Sequence, residues 1–278
     1  MGDGKKSEAQ VFLWDHPMSS YAQKVRLALR EKGIPFQFET PKGIGTGYEA
    51  STDVAFWKSS NRIEVPVLVD GDLKIFDSTV ILEYLEDKWP EPALLPPARD
   101  QAAARAKARM IEDVCDTQYE AINWAMGEVG WFKRADGELA EKLKAQAAHQ
   151  TRQIQDWLAQ QLGSSDWFGG DGFGWADLCV APMLNRSVLA GMGPEPGGPL
   201  ANWHARLCQR PAVQETFDEV AAAIKNAAGL GDALKKGLLK REYRDHRLEW
   251  MVKSGGIEIV LEGLKKDNIR FQWPDPLP

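Results

Sequence analysis

Residues 64–85 read "EVPVLVDGDLKIFDSTVILEYL", and this stretch predicts two strands followed by a helix. Its two apolar runs flank Gly71-Asp72, a pair of residues typical of a tight hairpin turn. From Asp77 onward the apolar residues recur three and four positions apart, which is the spacing of a helix. The stretch therefore predicts a β-hairpin that leads directly into a helix.

The residues before this stretch alternate between strand and helix signals. Residues 10–16, "QVFLWDH", predict a buried strand, and residues 20–33 predict an amphipathic helix that ends at Gly33. Residues 34–40 predict a second strand, and a weaker helical pattern lies around residues 53–60. The predicted order is β-α-β-α-β-β-α, which is an α/β domain.

A proline-rich stretch divides the chain. Residues 91–100, "EPALLPPARD", contain three prolines and predict a linker. The pattern beyond it is helical almost throughout, with long helices predicted over 101–129 and 138–162. We therefore expect an all-helical second domain. The predicted division is an N-terminal domain over 1–92, a linker over 93–100, a helical domain over 101–228 and a C-terminal extension over 229–278.

The amino-acid composition limits the classes of partner that we expect this protein to bind. The chain has 278 residues and a net charge of −6, which argues against nucleic acid or an anionic membrane as the main partner. Its three cysteines lie far apart and its four histidines show no metal-ligand spacing, so we expect neither a disulfide framework nor a metal site. Unpaired cysteines fit a reducing compartment, so we expect a cytoplasmic protein.

Four motifs in order along residues 10–225 resemble those of cytosolic glutathione transferases of the serine type. They are "SSYAQKVRLALREKG" at 19–33, "EVPVLVD" at 64–70, "DSTVILEYL" at 77–85 and "FGWADL" at 173–178. The resemblance implies a thioredoxin-like N-terminal domain followed by an all-α domain, with glutathione as co-substrate and no metal. It also implies a homodimer that acts in detoxification.

Ser19 and Ser20 are adjacent at the start of the first predicted helix, and we expect them to have different roles. Ser20 and Gln23 have the spacing of a capping box, which predicts that Ser20 caps the helix. In the resemblance, the catalytic hydroxyl lies six residues before the valine of "VR", which is Ser19 here. Such a hydroxyl donates a hydrogen bond to the thiolate of glutathione and lowers the pKa of the thiol. A serine hydrolase is not expected, because the sequence has no GxSxG motif.

The resemblance also implies how glutathione is bound. It implies a cis peptide bond before Pro66, so that the backbone of Val65 pairs with the cysteinyl part of glutathione. Asp77 and Ser78 are expected to bind the ammonium and the carboxylate of the γ-glutamyl part, because Ser78 opens a helix. The full predicted glutathione site is Val65, Pro66, Asp77, Ser78 and Ser20, with Lys42 and Arg62 as candidates for the glycyl carboxylate.

The first long helix of the helical domain carries a cluster that predicts the acceptor site. The cluster consists of Tyr119, Trp124, Met126 and Trp131. In the resemblance this region faces the thiol across the cleft, and the residue types favour a bulky aromatic electrophile. Ordinary helical core is the other interpretation of the same residues.

The implied reaction is attack of the glutathione thiolate on an electrophilic carbon, by conjugation, substitution or ether cleavage. One alternative is a glutathione-dependent isomerase, although Tyr21 stands where those members have cysteine. Another is a non-catalytic binding protein that kept the fold. In "FGWADL", Gly174 is expected to cap a helix and Asp177 to bond the backbone of that cap, which is a structural role.

The extension, residues 229–278, lies beyond the four motifs. It predicts a helix over 234–253 and a second, shorter helix over 257–268. A solvated tail has no need of large apolar side chains, so we expect the extension to be ordered and to pack on the body. The cleft between the domains and the outer face of the helical domain are the two candidate surfaces. The apolar residues in question include Trp250, Ile269, Phe271 and Trp273.

Overall fold

The structure is a computed structural model, and it describes residues 11–44, 54–60, 62, 64–97, 99–241 and 243–269. Within these ranges, the first part of the chain forms a mixed sheet of four strands in the order β2-β1-β3-β4. The strands are β1 (Val11–Trp14), β2 (Phe36–Glu39), β3 (Val67–Asp70) and β4 (Leu73–Phe76). Strand β1 is parallel to β2, and β3 is antiparallel to both β1 and β4. The predicted hairpin between β3 and β4 is confirmed.

The helices of this part are α1 (Ser20–Glu31), α2 (Val54–Trp57) and α3 (Ser78–Lys88). Together with the strands they give the predicted order β-α-β-α-β-β-α. Helix α1 packs on α3 on one side and on the helical part of the protein on the other. Val25, Leu27 and Leu29 are therefore fully buried although they lie on different faces of α1.

After the linker, the described chain forms helices and loops. The helices are α4 (Ala102–Val114), α5 (Glu120–Gly130), α6 (Gly137–Leu162), α7 (Trp175–Leu189), α8 (Pro199–Leu207) and α9 (Pro211–Asn226). The single helix predicted over 101–129 is interrupted by a π-helical turn at Cys115–Tyr119, between α4 and α5. Helices α8 and α9 begin with proline, whose missing N–H has no partner at a helix start in any case.

Gly174 and Asp177 have the structural role that the sequence predicts. Gly174 is the N-cap of α7, and its N–H donates to Oδ2 of Asp177 at 3.0 Å. The other carboxylate oxygen accepts from Nε1 of Trp203 at 2.7 Å. A Cβ at position 174 would lie 2.8 Å from the carbonyl oxygen of Leu94, so the linker passes too close for any residue but glycine. This turn therefore ties the linker to the core of the helical part.

A buried polar cluster joins the two parts of the protein. Lys24 of α1 places Nζ 2.6 Å from Oε1 of Glu112 and 2.5 Å from Oδ2 of Asp116, and its side chain has no exposed surface. Glu112 also accepts from the hydroxyl of Thr79 at 2.7 Å and from Nε1 of Trp175 at 2.6 Å. Because a buried charge is costly without partners, this cluster holds α1 and α3 in one position relative to α4 and α7.

The extension differs from its prediction. Its helices are α10 (Leu230–Lys235), α11 (His246–Lys253) and α12 (Ile257–Lys265). The helix predicted over 234–253 is split, because Gly237 turns the chain with φ of 71° and Asp245 caps a new helix. The expectation that the large apolar side chains of the extension pack on the body is wrong for Trp250 and Leu264, which are 66% and 51% exposed. Residues 271 and 273 lie outside the described ranges.

Candidate active site

Three of the motifs meet at one edge of the sheet. The register pairs Trp14, the last residue of β1, with Val67, the first residue of β3. It also pairs Val67 with Phe76, the last residue of β4. Since neighbouring strands lie about 4.8 Å apart, the segments just outside these three residues emerge side by side. These segments are the loop before α1, the peptide bond before β3 and the start of α3.

Ser19 ends the first of these segments and is the N-cap of α1. Its Oγ accepts a hydrogen bond from the N–H of Ala22 at 3.3 Å, and its own N–H donates to the C=O of His16 at 2.9 Å. The residue is partly exposed. A hydroxyl has one donor and two acceptor lone pairs, so the cap leaves the O–H proton of Ser19 for another group. Ser19 is therefore able to cap the helix and to donate to a ligand at once.

Ser20 is fully buried, and both predictions made for it are wrong. Its Oγ donates to Oε2 of Glu120 at 2.9 Å, and Nη1 of Arg186 lies 3.4 Å from the same Oγ. Burial raises the pKa of Glu120, while Arg186 and Ser20 oppose this rise. Ser20 neither caps α1 nor reaches solvent where glutathione could contact it. The physical reason is that its hydroxyl faces the interface with α5, where the carboxylate needs a donor.

The peptide bond between Val65 and Pro66 is cis, as predicted. Val65 is partly exposed and lies just before β3. Its backbone N–H and C=O have no hydrogen-bond partner in the described chain. Unpaired backbone groups beside a strand bind extended peptides by adding a short strand. Val65 therefore offers the backbone contact that the sequence predicts.

Asp77 is the N-cap of α3, and its cap leaves the donors of Ser78 free. Oδ1 of Asp77 accepts from the N–H of Thr79 at 3.0 Å and from that of Val80 at 3.4 Å. Asp77 has φ of 72°, a region in which aspartate is among the better tolerated residues. The N–H and the hydroxyl of Ser78 have no partner in the described chain. They stand at the positive end of an eleven-residue helix, where an anion is favoured.

Arg62 is linked to this site, and Lys42 is not. Nη1 of Arg62 lies 3.4 Å from Oδ2 of Asp77, and its Nη2 lies 3.0 Å from Oε2 of Glu64. The side chain of Arg62 is 37% exposed, so it can still turn toward a ligand. Lys42 is exposed and makes no ion pair within the described chain. The structure therefore places Arg62 beside Asp77, at the end of the predicted site that is expected to bind the γ-glutamyl part, and this contact does not favour Arg62 over Lys42 for the glycyl carboxylate.

The predicted acceptor residues occupy different environments. Tyr119 is fully buried, and its hydroxyl accepts from Nε2 of Gln155 at 3.1 Å, so its assignment to an acceptor site is wrong. Tyr119 belongs to the π-helical turn and packs in the core. Trp124 is covered by Tyr243 of the extension, with ring centroids 4.7 Å apart. Met126 lines a cavity, and its assignment to an acceptor site stays a prediction.

This cavity has a volume of about 530 Å³ and lies between α5, α6, α7 and α9. Trp131 lines it too, and the cavity reaches the sheet part at Met18, the residue before Ser19. It also reaches Gln23 on α1, which the sequence analysis assigned to a capping box, and Arg186 on α7, which the sequence did not single out. The available signal for Gln23 was its spacing of four residues from Ser19, which puts both on one face of α1. No sequence signal identified Arg186.

The extension covers another face of α5 and touches both parts of the protein. Nε of Arg241 donates to Oε1 of Glu128 at 2.7 Å, and its guanidinium carbon lies 4.3 Å from the ring centre of Trp124. Nε of Arg244 lies 3.6 Å from Oε1 of Glu64, the residue before Val65. Of the two surfaces considered, these contacts agree with the cleft rather than with the outer face of the helical part.

Within the described ranges, no group of three or more histidine, cysteine, aspartate or glutamate side chains could hold a metal ion. No helix in the same ranges is both long enough and apolar enough to cross a membrane.

The fold and the sheet edge define a thioredoxin-like protein with an all-helical second part. Residues 13–93 match the family described as "Glutathione S-transferase, N-terminal domain", and residues 141–206 match "Glutathione S-transferase, C-terminal domain". The "Probable glutathione S-transferase GSTU1" of Oryza sativa subsp. japonica is 30% identical over 85% of this chain and 97% of its own. The "Glutathione S-transferase Z2" of Arabidopsis thaliana is 38% identical over 76% of this chain and 92% of its own.

Solved structures agree with these sequence relatives. The crystal structure of rice GST1 in complex with glutathione superposes with a TM-score of 0.60 at 28% identity, covering 78% of this chain and 98% of that one. A glutathione S-transferase from Rhodospirillum rubrum superposes with a TM-score of 0.63 at 27% identity, over 74% of this chain and 91% of that one. The chain belongs to the glutathione S-transferase family.

Proposed function

We propose that this glutathione transferase activates the thiol of glutathione through Ser19 and transfers glutathione to an electrophilic carbon of a hydrophobic acceptor. The observation that carries the proposal is the common sheet edge. Ser19, Val65 and Ser78 leave that edge side by side, and each keeps a hydrogen-bonding group without a partner among the described residues. A tripeptide is long enough to contact all three.

The role of Ser19 follows from the chemistry of thiols. A free thiol has a pKa of about 8.5, so only a few per cent is thiolate at pH 7. The unused O–H of Ser19 stabilises the thiolate by donating to it, and the positive end of α1 adds to this effect. Lowering the pKa by about two units takes roughly 2.7 kcal/mol, which one charge-assisted hydrogen bond and a helix terminus are able to supply.

The remaining contacts orient the tripeptide. The backbone of Val65 pairs with the cysteinyl part, which places the sulfur near Ser19. The N–H and hydroxyl of Ser78 receive the γ-glutamyl carboxylate, and the carboxylate of Asp77 receives the ammonium of the same residue. Lys42 and Arg62 are the two candidates for the glycyl carboxylate, and Arg62 would have to leave its contact with Asp77 to reach it.

The acceptor site in this proposal is the cavity that begins at Met18. Met126 and Trp131 supply apolar and aromatic surface, which favours a bulky acceptor. The thiolate attacks the acceptor by substitution, addition or ether cleavage. The isomerase alternative gains no support from Tyr21, whose hydroxyl donates to the C=O of Asp116 at 2.7 Å rather than facing the sheet edge.

We also propose, from the family resemblance alone, that the protein acts in detoxification as a cytoplasmic homodimer. The proposed division of the chain is 1–92, 93–100, 101–228 and 229–278. Light scattering on the purified protein tests the dimer, because a mass equal to one chain would contradict it.

The pKa of the bound thiol tests the catalytic proposal directly. The ultraviolet absorbance of the thiolate, recorded for the glutathione complex across a range of pH, should report a pKa well below that of free glutathione. Retention on a glutathione resin tests binding separately. A bound thiol that titrates like free glutathione would contradict the proposal, whereas consumption of glutathione with a panel of electrophiles would identify the acceptor class.

A further inference from the structure

The charged side chains that line the cavity beside Ser19 are both cationic. They are Arg186 and Lys144, whose partners Glu120 and Glu141 lie outside the lining, and the described lining contains neither aspartate nor glutamate although the chain as a whole has a net charge of −6. The rest of the lining is mainly apolar, with Met18, Met126, Trp131, Leu189, Met192 and Ile224 among its members. A site of this kind is complementary to a molecule with an apolar body and an anionic end.

One nitrogen of the Arg186 guanidinium, Nη2, is available to bind an anionic end of this kind. Nη1 lies 3.2 Å from Oε1 of Glu120 and 3.4 Å from Oγ of Ser20. The Nε atom is buried without a partner, whereas Nη2 is neither hydrogen-bonded nor buried in the described chain. The guanidinium lies 4.9 Å from the ring centre of Trp131, which fixes its plane. Nη2 is thus a positioned donor that no group in the described part of the chain uses.

Gln23 supplies a second, independent sign of a ligand. The residue is only 3% exposed and lines the cavity, yet its Oε1 is buried without a hydrogen-bond partner. A buried amide oxygen without a donor costs free energy, so Oε1 of Gln23 calls for a donor group that the described chain does not provide and that a carboxylate cannot supply. Gln23 lies one turn after Ser19, and its N–H donates to the C=O of Ser19 at 2.9 Å. This amide therefore lies between the catalytic end of α1 and the cavity.

We propose that the cavity selects acceptors that carry a carboxylate on an apolar or aromatic body, with Arg186 as the residue that receives the carboxylate. This inference rests on the proposed function, because it takes the cavity as the acceptor site. Nη2 of Arg186 donates to the carboxylate, the amide oxygen of Gln23 is left for a donor group on the body of the acceptor, and Lys144 attracts the anion to the rim. Met18 holds the apolar body beside Ser19, where the thiolate attacks.

The test compares two molecules that differ only at the carboxylate: 4-chloro-3,5-dinitrobenzoate and its methyl ester. Binding of each is measured by titration calorimetry without glutathione, so that the result does not depend on turnover. We expect the wild-type protein to bind the acid about tenfold or more tightly than the ester, as a hydrogen bond to a charged group predicts. Equal binding of the two molecules would overturn the inference.

Substitutions assign the preference to Arg186. Arg186→Met leaves Glu120 buried without its cation, so the double variant Arg186→Met/Glu120→Gln is measured as well. Both should lose most of the preference for the acid. Arg152→Met is the matched control, because Arg152 is an exposed arginine on α6 that pairs with Glu195 outside this cavity, and it should keep the preference. A preference that survives in the double variant would overturn the assignment.

Turnover separates this inference from the proposed function. If the protein conjugates glutathione to the ester and binds the two molecules equally, the inference is wrong and the proposed function stands. If the protein binds the acid selectively through Arg186 but forms no conjugate with either molecule, the carboxylate site stands and the proposed transfer fails.

Discussion

The hydroxyl of Ser20 donates to Glu120 at 2.9 Å, joining residues 100 positions apart in the sequence. This contact assigns different roles to the two adjacent serines. Ser20 contributes to the interface between α1 and α5, and Ser19 remains at the sheet edge with an unused O–H. Ser19, and not Ser20 as predicted, caps α1, and Ser19 remains the candidate catalytic residue.

Substitution of Ser19 tests this separation. Ser19→Ala should lower kcat for conjugation at least tenfold, because the thiolate loses its donor, and should cost about 1 kcal/mol of stability through the lost cap. Ser19→Thr keeps both the cap and the O–H and should retain much more activity. The measurements are kcat at saturating glutathione and the free energy of unfolding in denaturant.

Ser20→Ala is the matched control for Ser19→Ala. It removes a buried hydrogen bond to a carboxylate that Arg186 still contacts, so it should cost about 1–3 kcal/mol of unfolding free energy. Activity per folded molecule should change little. A larger loss of activity in Ser20→Ala than in Ser19→Ala, at equal folded fraction, would reverse the assignment.

Removal of the Ser78 hydroxyl should affect binding more than chemistry. Ser78→Ala deletes one donor for the γ-glutamyl carboxylate, which is remote from the sulfur. We expect the dissociation constant of glutathione to rise severalfold while kcat at saturating glutathione stays within about twofold of wild type. Isothermal titration with glutathione and steady-state kinetics separate the two effects. Unchanged affinity would argue against this part of the site.

Asp77→Asn and Asp77→Ala separate the two roles of this residue. Asparagine caps helices about as well as aspartate and tolerates positive φ, so Asp77→Asn should keep stability and weaken glutathione binding through the lost charge. Asp77→Ala should weaken binding similarly and also cost about 1 kcal/mol of unfolding free energy. If Asp77→Asn binds glutathione like wild type, the ammonium contact is absent.

Truncation tests whether the extension shapes the acceptor site. A chain that ends at Gly229 loses the cover over Trp124 and the contact between Arg244 and Glu64, so we expect its acceptor preference to change while glutathione binding survives. A chain that ends at Asp245 is the control, because it lacks α11 and α12 but keeps those contacts, and it should behave like wild type. Relative kcat/KM over an electrophile panel is the measurement, and identical profiles for all three chains would rule out this role.

The cluster around Lys24 predicts a pH dependence of stability. Lys24 is shared by Glu112 and Asp116, and burial raises the pKa of Asp116 from its ordinary value of 3.8 to about 6. Between these pH values the folded protein holds a proton that the unfolded chain has released. The stability contributed by Asp116 therefore decreases as the pH rises from about 4 to about 6 and is constant above that range.

Asp116→Asn should abolish this dependence. The difference between its unfolding free energy and that of the wild type should increase by about 2–3 kcal/mol from pH 4 to pH 7, because only the wild type loses stability over this range. Denaturant titrations at several pH values measure the difference. Asp113→Asn, at an exposed position in the last turn of α4, should follow the wild-type curve. Parallel curves for Asp116→Asn and wild type would contradict the prediction.

Much of the fold was predictable because its signals are local in sequence. The Gly71-Asp72 turn, the cap of Asp77 and the bond between Asp177 and the N–H of Gly174 all involve residues within three positions of one another. Local turn and cap chemistry depends little on the rest of the chain, so these features follow from residue type. The prediction of a single helix over 234–253 was wrong because it overlooked local signals of the same kind. Gly237 and Asp245 interrupt an otherwise helical pattern.

The sequence by itself determined the order of the elements, the catalytic candidate Ser19 and the segments proposed to bind glutathione, since these rest on short motifs. Only the tertiary structure decided that Ser20 is buried, that Tyr119 belongs to the core and that Arg186 faces the cavity. Arg186 lies 166 residues from Ser20, and its guanidinium is positioned by the ring of Trp131 and the carboxylate of Glu120. Contacts of this kind depend on how distant helices pack, and no pattern along the chain records which side chain faces which.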